Sequence, residues 1–254
     1  MSNTDWRAEY LDRCYRSRRG WINGTTEFHN LLSKYIHRDS SVLELGAGCT
    51  NPTSEYLASI SREVVGLDID RRVQSNTFLT KAYMYQGSAF PFPDSMFDAV
   101  VSNYVNEHLL DPEEVCREVN QVLKNGKSFI FRTPNLFHYV GLAARLMPHG
   151  VKRRLARLRV LGKETPGHFP TYYRMNTPRR LKSLLQTEGF EIEELALVEK
   201  EPSYGIRSQA LFFLFLLYER LVNSSQVFAR FRANIFCVAT KVGSPKSQNQ
   251  KMTH

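Results

Sequence analysis

Ser41-Val42-Leu43-Glu44-Leu45-Gly46-Ala47-Gly48-Cys49-Thr50 is a short apolar strand that runs into a Gly-x-Gly turn, and Glu63 to Asp70 is a second strand that ends in acids. Together they read as a cradle for a nucleoside. Gly46 and Gly48 let the backbone bend and let a ligand come closer than a Cβ would permit. Asp68 falls 22 positions after Gly46, about where such folds place a carboxylate for ribose hydroxyls. The alternative is a plain tight connection between a strand and a helix, because a lone glycine turn is a weak signal.

The choice of ligand turns on two residues. A dinucleotide fold asks for Gly-x-Gly-x-x-Gly, and Asn51 stands at the third glycine. Glu44 sits two residues before Gly46, and an anion there would repel a pyrophosphate while suiting a cationic ligand. S-adenosylmethionine, with its sulfonium and ammonium groups, is such a ligand. An NAD-dependent enzyme is the disfavoured alternative.

Further segments follow in order. They are Val65-Gly66-Leu67-Asp68-Ile69-Asp70, Gly87 to Asp98, Glu107-His108-Leu109-Leu110-Asp111-Pro112 and Val122 to Lys127. With Val42 to Gly48 they span about Thr26 to Asn135, and over that span the chain resembles the class I S-adenosylmethionine-dependent methyltransferases, in particular the group that includes the ubiquinone-biosynthesis enzymes. The resemblance implies a Rossmann-like α/β fold: a mostly parallel seven-stranded sheet with helices on both faces and a helical cap insertion. Glu44, Gly46, Ala47 and Gly48 would hold the methionine side of the cofactor and Asp68 the ribose. By resemblance alone, Ile69 would face the adenine, Ser88 and Ala89 would meet its edge, and Asn103 would join the cofactor-binding set. Two positions depart from the family pattern: Thr50 replaces its third glycine, and Ser88 replaces an acid that many members place near the adenine amine.

His108 matches the family's Glu-His or His-His position after the fourth strand and is the candidate catalytic residue. A hydroxyl acceptor needs a base with pKa near neutrality, which histidine supplies. The competing reading is that His108 ties its loop to the next helix. Asp70 is expected to cap a helix rather than touch ligand.

The 254 residues suit one α/β domain with additions. Strands are expected at Ser41 to Leu45, Val64 to Leu67, Ala82 to Gln86, Ala99 to Ser102, Ser128 to Thr133, Phe190 to Leu197 and Ala233 to Lys241. Asn51-Pro52, Asp111-Pro112 and Thr177-Pro178 open helices, each a cap followed by proline. Phe28, Leu31, Leu32, Tyr35 and Ile36 fall at helical spacing. The expected organisation is a cofactor-binding half over 26–135, a basic cap over 136–176, and a C-terminal half over 177–242. That last part holds an apolar helical insertion over 201–232, and a disordered tail covers 243–254.

Lys and Arg number 34 against 25 acids, for a net charge of +9, and the excess is local. Between Arg145 and Lys182 lie eleven basic residues and one acid, Glu164. Arg153, Arg154, Arg157 and Arg159 fall opposite Val151, Leu155 and Leu158 on a helical pattern. Such a helix could meet an anionic membrane or lipid-linked substrate, grip a phosphorylated one, or be a solvated face. Nucleic acid is not expected, because interleaved aromatics are missing. The apolar run Ala210 to Tyr218 is core, a homodimer face or a lipid contact; at nine residues it falls short of the about 20 that span a bilayer. Cys14, Cys49, Cys116 and Cys237 show no metal-ligand spacing and suit a reducing, cytoplasmic compartment, at most peripheral to a membrane. A charged stretch from Trp6 to Arg19 argues against a signal peptide. The expected function is methyl transfer from S-adenosylmethionine to a small-molecule acceptor, at an oxygen of a sugar, glycan, quinone or lipid-linked compound. The rival is a cofactor-binding protein without catalysis.

Overall fold

The structure is a computed structural model that describes residues 6–85, 87, 89–139, 169–200 and 209–243. Its centre is a seven-stranded sheet in the order β3-β2-β1-β4-β5-β7-β6. The strands are β1 Ser41–Leu45, β2 Glu63–Asp68, β3 Lys81–Met84, β4 Phe97–Asn103, β5 Leu123–Pro134, β6 Phe190–Val198 and β7 Asn234–Lys241. The pairings β1 with β2, β1 with β4, β2 with β3 and β4 with β5 are all parallel. Every residue of β1 is buried, which explains its unbroken apolar run: a central parallel strand is covered on both faces.

Helices alternate with these strands: α1 Trp6–Leu11, α2 Gly24–Tyr35, α3 Pro52–Ile60, α4 Pro112–Val122, α5 Pro178–Thr187 and α6 Gln209–Ser224. The cap-plus-proline signals mark three starts. Asn51 accepts from the Thr53 and Ser54 N–H groups, Asp111 from Glu114 N–H, and Thr177 from Arg180 N–H. These bonds satisfy donors that the first helical turn leaves without partners. Asp70 caps the 3-10 helix Arg71–Ser75 through Arg72 N–H, as its sequence position suggests.

The chain groups into two compact units. One gathers Leu31–Pro134 with the described parts of Gly167–Ala196 and Ile235–His254. The other gathers the described parts of Met1–Asn30, Asn135–Pro166 and Leu197–Asn234. In the second unit Tyr15 is buried and its hydroxyl meets Glu219 Oε2 at 3.3 Å. There α6 buries Phe212, Glu219 and Val222 while Leu214, Leu217 and Leu221 stay exposed, so part of the apolar run does face outward. Cys116 and Cys237 are buried, Cys14 is half-buried and Cys49 is exposed. Among the described residues, no helix is long and apolar enough to cross a membrane.

Candidate functional site

The carboxyl ends of β1, β2, β4 and β5 share one rim of the sheet, where open α/β folds bind ligands. The turn after β1 forms there because both glycines take left-handed backbone, Gly46 at φ +72° and Gly48 at φ +53°. Their lack of a side chain serves different ends. A Cβ on Gly46 would fall 2.2 Å from Val105 Cγ2, so that space belongs to the loop after β4. A Cβ on Gly48 would meet only Asp68 Oδ2, at 3.9 Å, so the room for a close ligand lies beside Gly48. Thr50 is exposed and has no left-handed backbone, so its β-branched side chain is accommodated without strain.

Glu44 lies beneath this turn, 2% exposed. Ser54 Oγ donates to its Oε2 at 2.7 Å. Burial, opposed by bonds from Ser54 and Asn51, pushes its pKa up to about 7. The ionised form of a carboxyl held in such a place is favoured by positive charge brought near it.

Asp68, the last residue of β2, is held by two backbone donors. Gly48 N–H meets its Oδ2 and Asp70 N–H its Oδ1, each at 2.7 Å. Each oxygen keeps a further lone pair, so the carboxylate is oriented and still able to accept from a diol. Ile69 beside it is 56% exposed, an apolar side chain at the rim suited to an aromatic face. Ala89 is exposed, and Ser88 lies outside the described residues.

Asn103 ends β4 and is half-buried. Its Nδ2 donates to Thr53 Oγ1 at 2.9 Å and its Oδ1 accepts from Arg132 Nε, so it links α3 to β5. Arg132 also stacks over Tyr104, 4.7 Å from the ring centroid. Tyr104 holds φ +57° without being glycine, the kind of local strain that clusters at functional sites. Neither residue belongs to a spaced motif, so no sequence pattern marks them.

His108 closes a short 3-10 turn, Asn106–His108. Its Nδ1 lies 2.9 Å from the Pro170 carbonyl oxygen, and its Nε2 lies 3.8 Å from Glu107 Oε1. Glu107 is buried, and burial holds its carboxyl above the usual carboxylate range. Thr133 Oγ1 donates to Glu107 Oε2 at 3.2 Å, and Asn176 Nδ2 donates to Thr133 Oγ1 at 2.6 Å. The Glu107 carbonyl accepts from Tyr172 and Tyr173 N–H groups. The Glu107–His108 corner is thus clamped to the segment that leads into α5. Glu44, Ala47, Gly48 and Asp68 are brought together by bonds that run from Glu44 through Ser54 and Asn51 to the Ala47 carbonyl and from Gly48 N–H to Asp68, and Asn103 joins through Thr53 of α3. His108 belongs to a separate set of contacts.

Comparison with known proteins gives this geometry a family. Residues 43–131 match the family model described as a methyltransferase domain. The chain is 29% identical over 171 residues to a probable S-adenosylmethionine-dependent methyltransferase of Mycolicibacterium smegmatis, covering 66% of this chain and 57% of that protein. It is 31% identical over 179 residues to the sarcosine/dimethylglycine N-methyltransferase of Halorhodospira halochloris, with the same 66% and 57%. The chain therefore spans somewhat more than half the length of these relatives. An S-adenosylmethionine-dependent methyltransferase of Methanosarcina mazei shares the fold, with a TM-score of 0.56 at 17% identity over 84% of this chain and 97% of that one. The chain carries a class I S-adenosylmethionine-dependent methyltransferase domain. S-adenosylmethionine is the cofactor that goes with that domain.

Proposed function

We propose that this chain transfers the methyl group of S-adenosylmethionine to an oxygen of a small-molecule acceptor of the sugar, glycan, quinone or lipid-linked class. Glu44, the Gly46–Gly48 turn and Asp68 would hold the cofactor, with Ile69, Ser88, Ala89 and Asn103 around its nucleoside. The cofactor supplies an already activated methyl group, which leaves the protein to position the acceptor and, for a hydroxyl, to take its proton.

The observation that carries the oxygen reading is the tether on His108. A carbonyl oxygen only accepts, so Nδ1 beside Pro170 carries the proton and a neutral ring keeps its lone pair on Nε2. Glu107 Oε1 lies 3.8 Å from that nitrogen. Calorimetry should detect S-adenosylmethionine or its demethylated product and no NAD. A screen of hydroxyl and amine acceptors should then find turnover, and His108→Ala should lower that turnover about 10²-fold with cofactor affinity kept. A neutral amine attacks through its own lone pair, with its extra proton exchanged with water before or after the step, so the transfer itself calls for no protein base. Equal rates in mutant and parent from about pH 6 to 9 would therefore overturn the oxygen reading and leave His108 as a tie to Pro170.

Arg153, Arg154, Arg157 and Arg159 lie outside the described residues, and their reading rests on sequence. We take them to meet an anionic membrane surface or a lipid-linked acceptor. Co-sedimentation with anionic vesicles should fall from low salt to high, since screening acts over about 10 Å at 0.1 M. Replacing all four by glutamine should abolish it with cofactor affinity intact. A parent protein that ignores such vesicles at low salt ends this idea. A second copy of the chain is the other partner proposed, and the mass in solution at two protein concentrations decides it.

A further inference from the structure

The polar groups under the glycine turn come from three separated segments. Glu44 belongs to β1, Asn51 and Ser54 to the start of α3, and Asn76 to the connection between the 3-10 helix Arg71–Ser75 and β3. Asn76 stands 29 residues from Ala47 in sequence, yet its Nδ2 reaches the Ala47 carbonyl oxygen at 3.2 Å and Ser54 Oγ at 2.9 Å. The Cys49 carbonyl lies farther off, at 3.4 Å. Asn51 Nδ2 grasps the same groups from the other side, at 2.8 Å to Ala47 O and 2.7 Å to Ser54 Oγ. The Ser54 hydroxyl in turn donates to Glu44 Oε2.

This grip has a consequence on the far side of the peptide. A trans peptide unit is planar, with its C=O and N–H directed oppositely. Holding Ala47 C=O against the two amides therefore turns Gly48 N–H outward, and there it meets Asp68 Oδ2. Asn76 is itself locked: it is 5% exposed, its Oδ1 accepts from Phe78 N–H, and its own N–H donates to Val73 O.

We propose that Asn76 is a positioning residue of the cofactor site, which acts through Ala47 and Gly48 to aim the Asp68 carboxylate. The inference rests on the reading that this turn and Asp68 hold S-adenosylmethionine. Asn76 touches no ligand in this account, and losing its donor loosens the turn and lets Asp68 swing.

The test is calorimetry with S-adenosylhomocysteine on the full chain. Asn76→Ala should weaken binding about 10-fold, the scale of one or two hydrogen bonds. In an Asp68→Ala background the same change should cost less than about 2-fold, because the group it orients is gone. A merely structural defect would lower affinity equally in both backgrounds, and that result overturns the proposal. So does Asn76→Ala binding like the parent. Asn76→Asp serves as a second variant, and the only one if the alanine protein does not fold. Its carboxylate cannot donate to Ala47 O or Ser54 Oγ, while its protonated form can. Relative to the parent, its affinity should therefore recover as pH falls from about 8 to 5. Asp68 and Cys49 are common to both proteins, and Glu44, which shares Ser54 with position 76, is replaced by glutamine in both so that its own titration does not enter the ratio. An unchanging ratio across that range counts against Asn76. If the parent binds no S-adenosylhomocysteine at all, it is the cofactor reading that fails, a separate outcome.

Discussion

Glu44 is the residue at which stability and binding pull in opposite directions. Its carboxyl holds a proton up to about pH 7 in the folded chain, against 4.5 for an ordinary glutamate. Between those values the fold keeps a proton that the unfolded chain has released, so stability falls as pH rises and levels off above about 7. Once both states are ionised the cost is on the order of 3 kcal/mol. Glu44→Gln should therefore be more stable than the parent, by a margin that widens from about pH 5 to 8. Thermal unfolding without ligand measures this margin, and a margin independent of pH would place the carboxyl back in the ordinary range. The place of Glu44 beneath the turn was legible from its position before the glycines, because two residues of spacing are a local property. Asn76 was not legible: its relation to the turn exists only after β1, α3 and β3 have come together. Ser54 was hidden for the same reason, inside what reads as an ordinary first helical turn.

At the scale of elements, the turn after β1 and the loop after β4 share one space. Gly46 leaves room that Val105 fills. Gly46→Ala meets both a left-handed backbone and the Val105 methyl groups, and should cost about 1–3 kcal/mol. Adding Val105→Ala should recover part of that loss, since it removes the clash and leaves the backbone strain. Urea unfolding of the single and double variants resolves the two terms; no recovery would mean that Val105 is not what excludes the Cβ. The elements themselves were largely legible. β1 spans Ser41–Leu45 as its pattern predicts, and the three cap-plus-proline starts stand where the sequence puts them. β5 was harder. It begins at Leu123, five residues before the expected Ser128, because Phe97 pairs with Leu123 and Ala99 with Ser128 while 124–127 bulge out of the ladder. Gly126 stands at φ +72° within that bulge. An irregularity of this kind carries no period to detect.

Across the first unit, the parallel strands have two rims. The carboxyl rim carries Glu44, Asp68 and the amides of Asn51 and Asn76. At the opposite rim Asp98 Oδ2 accepts from Ser41 N–H at 3.0 Å, while its Oδ1 meets Lys124 Nζ at 2.9 Å and Lys127 Nζ at 3.7 Å. The Lys241 ammonium donates to the Leu123 carbonyl at 2.8 Å. These contacts join the starts of β1, β4 and β5 and the end of β7, and none of them involves Glu44, Asp68, Asn76 or His108. Heredity can treat the two rims as separate ledgers. Substitutions among the loops at the carboxyl rim leave the Asp98 contacts untouched, and that end goes on fastening the strand starts.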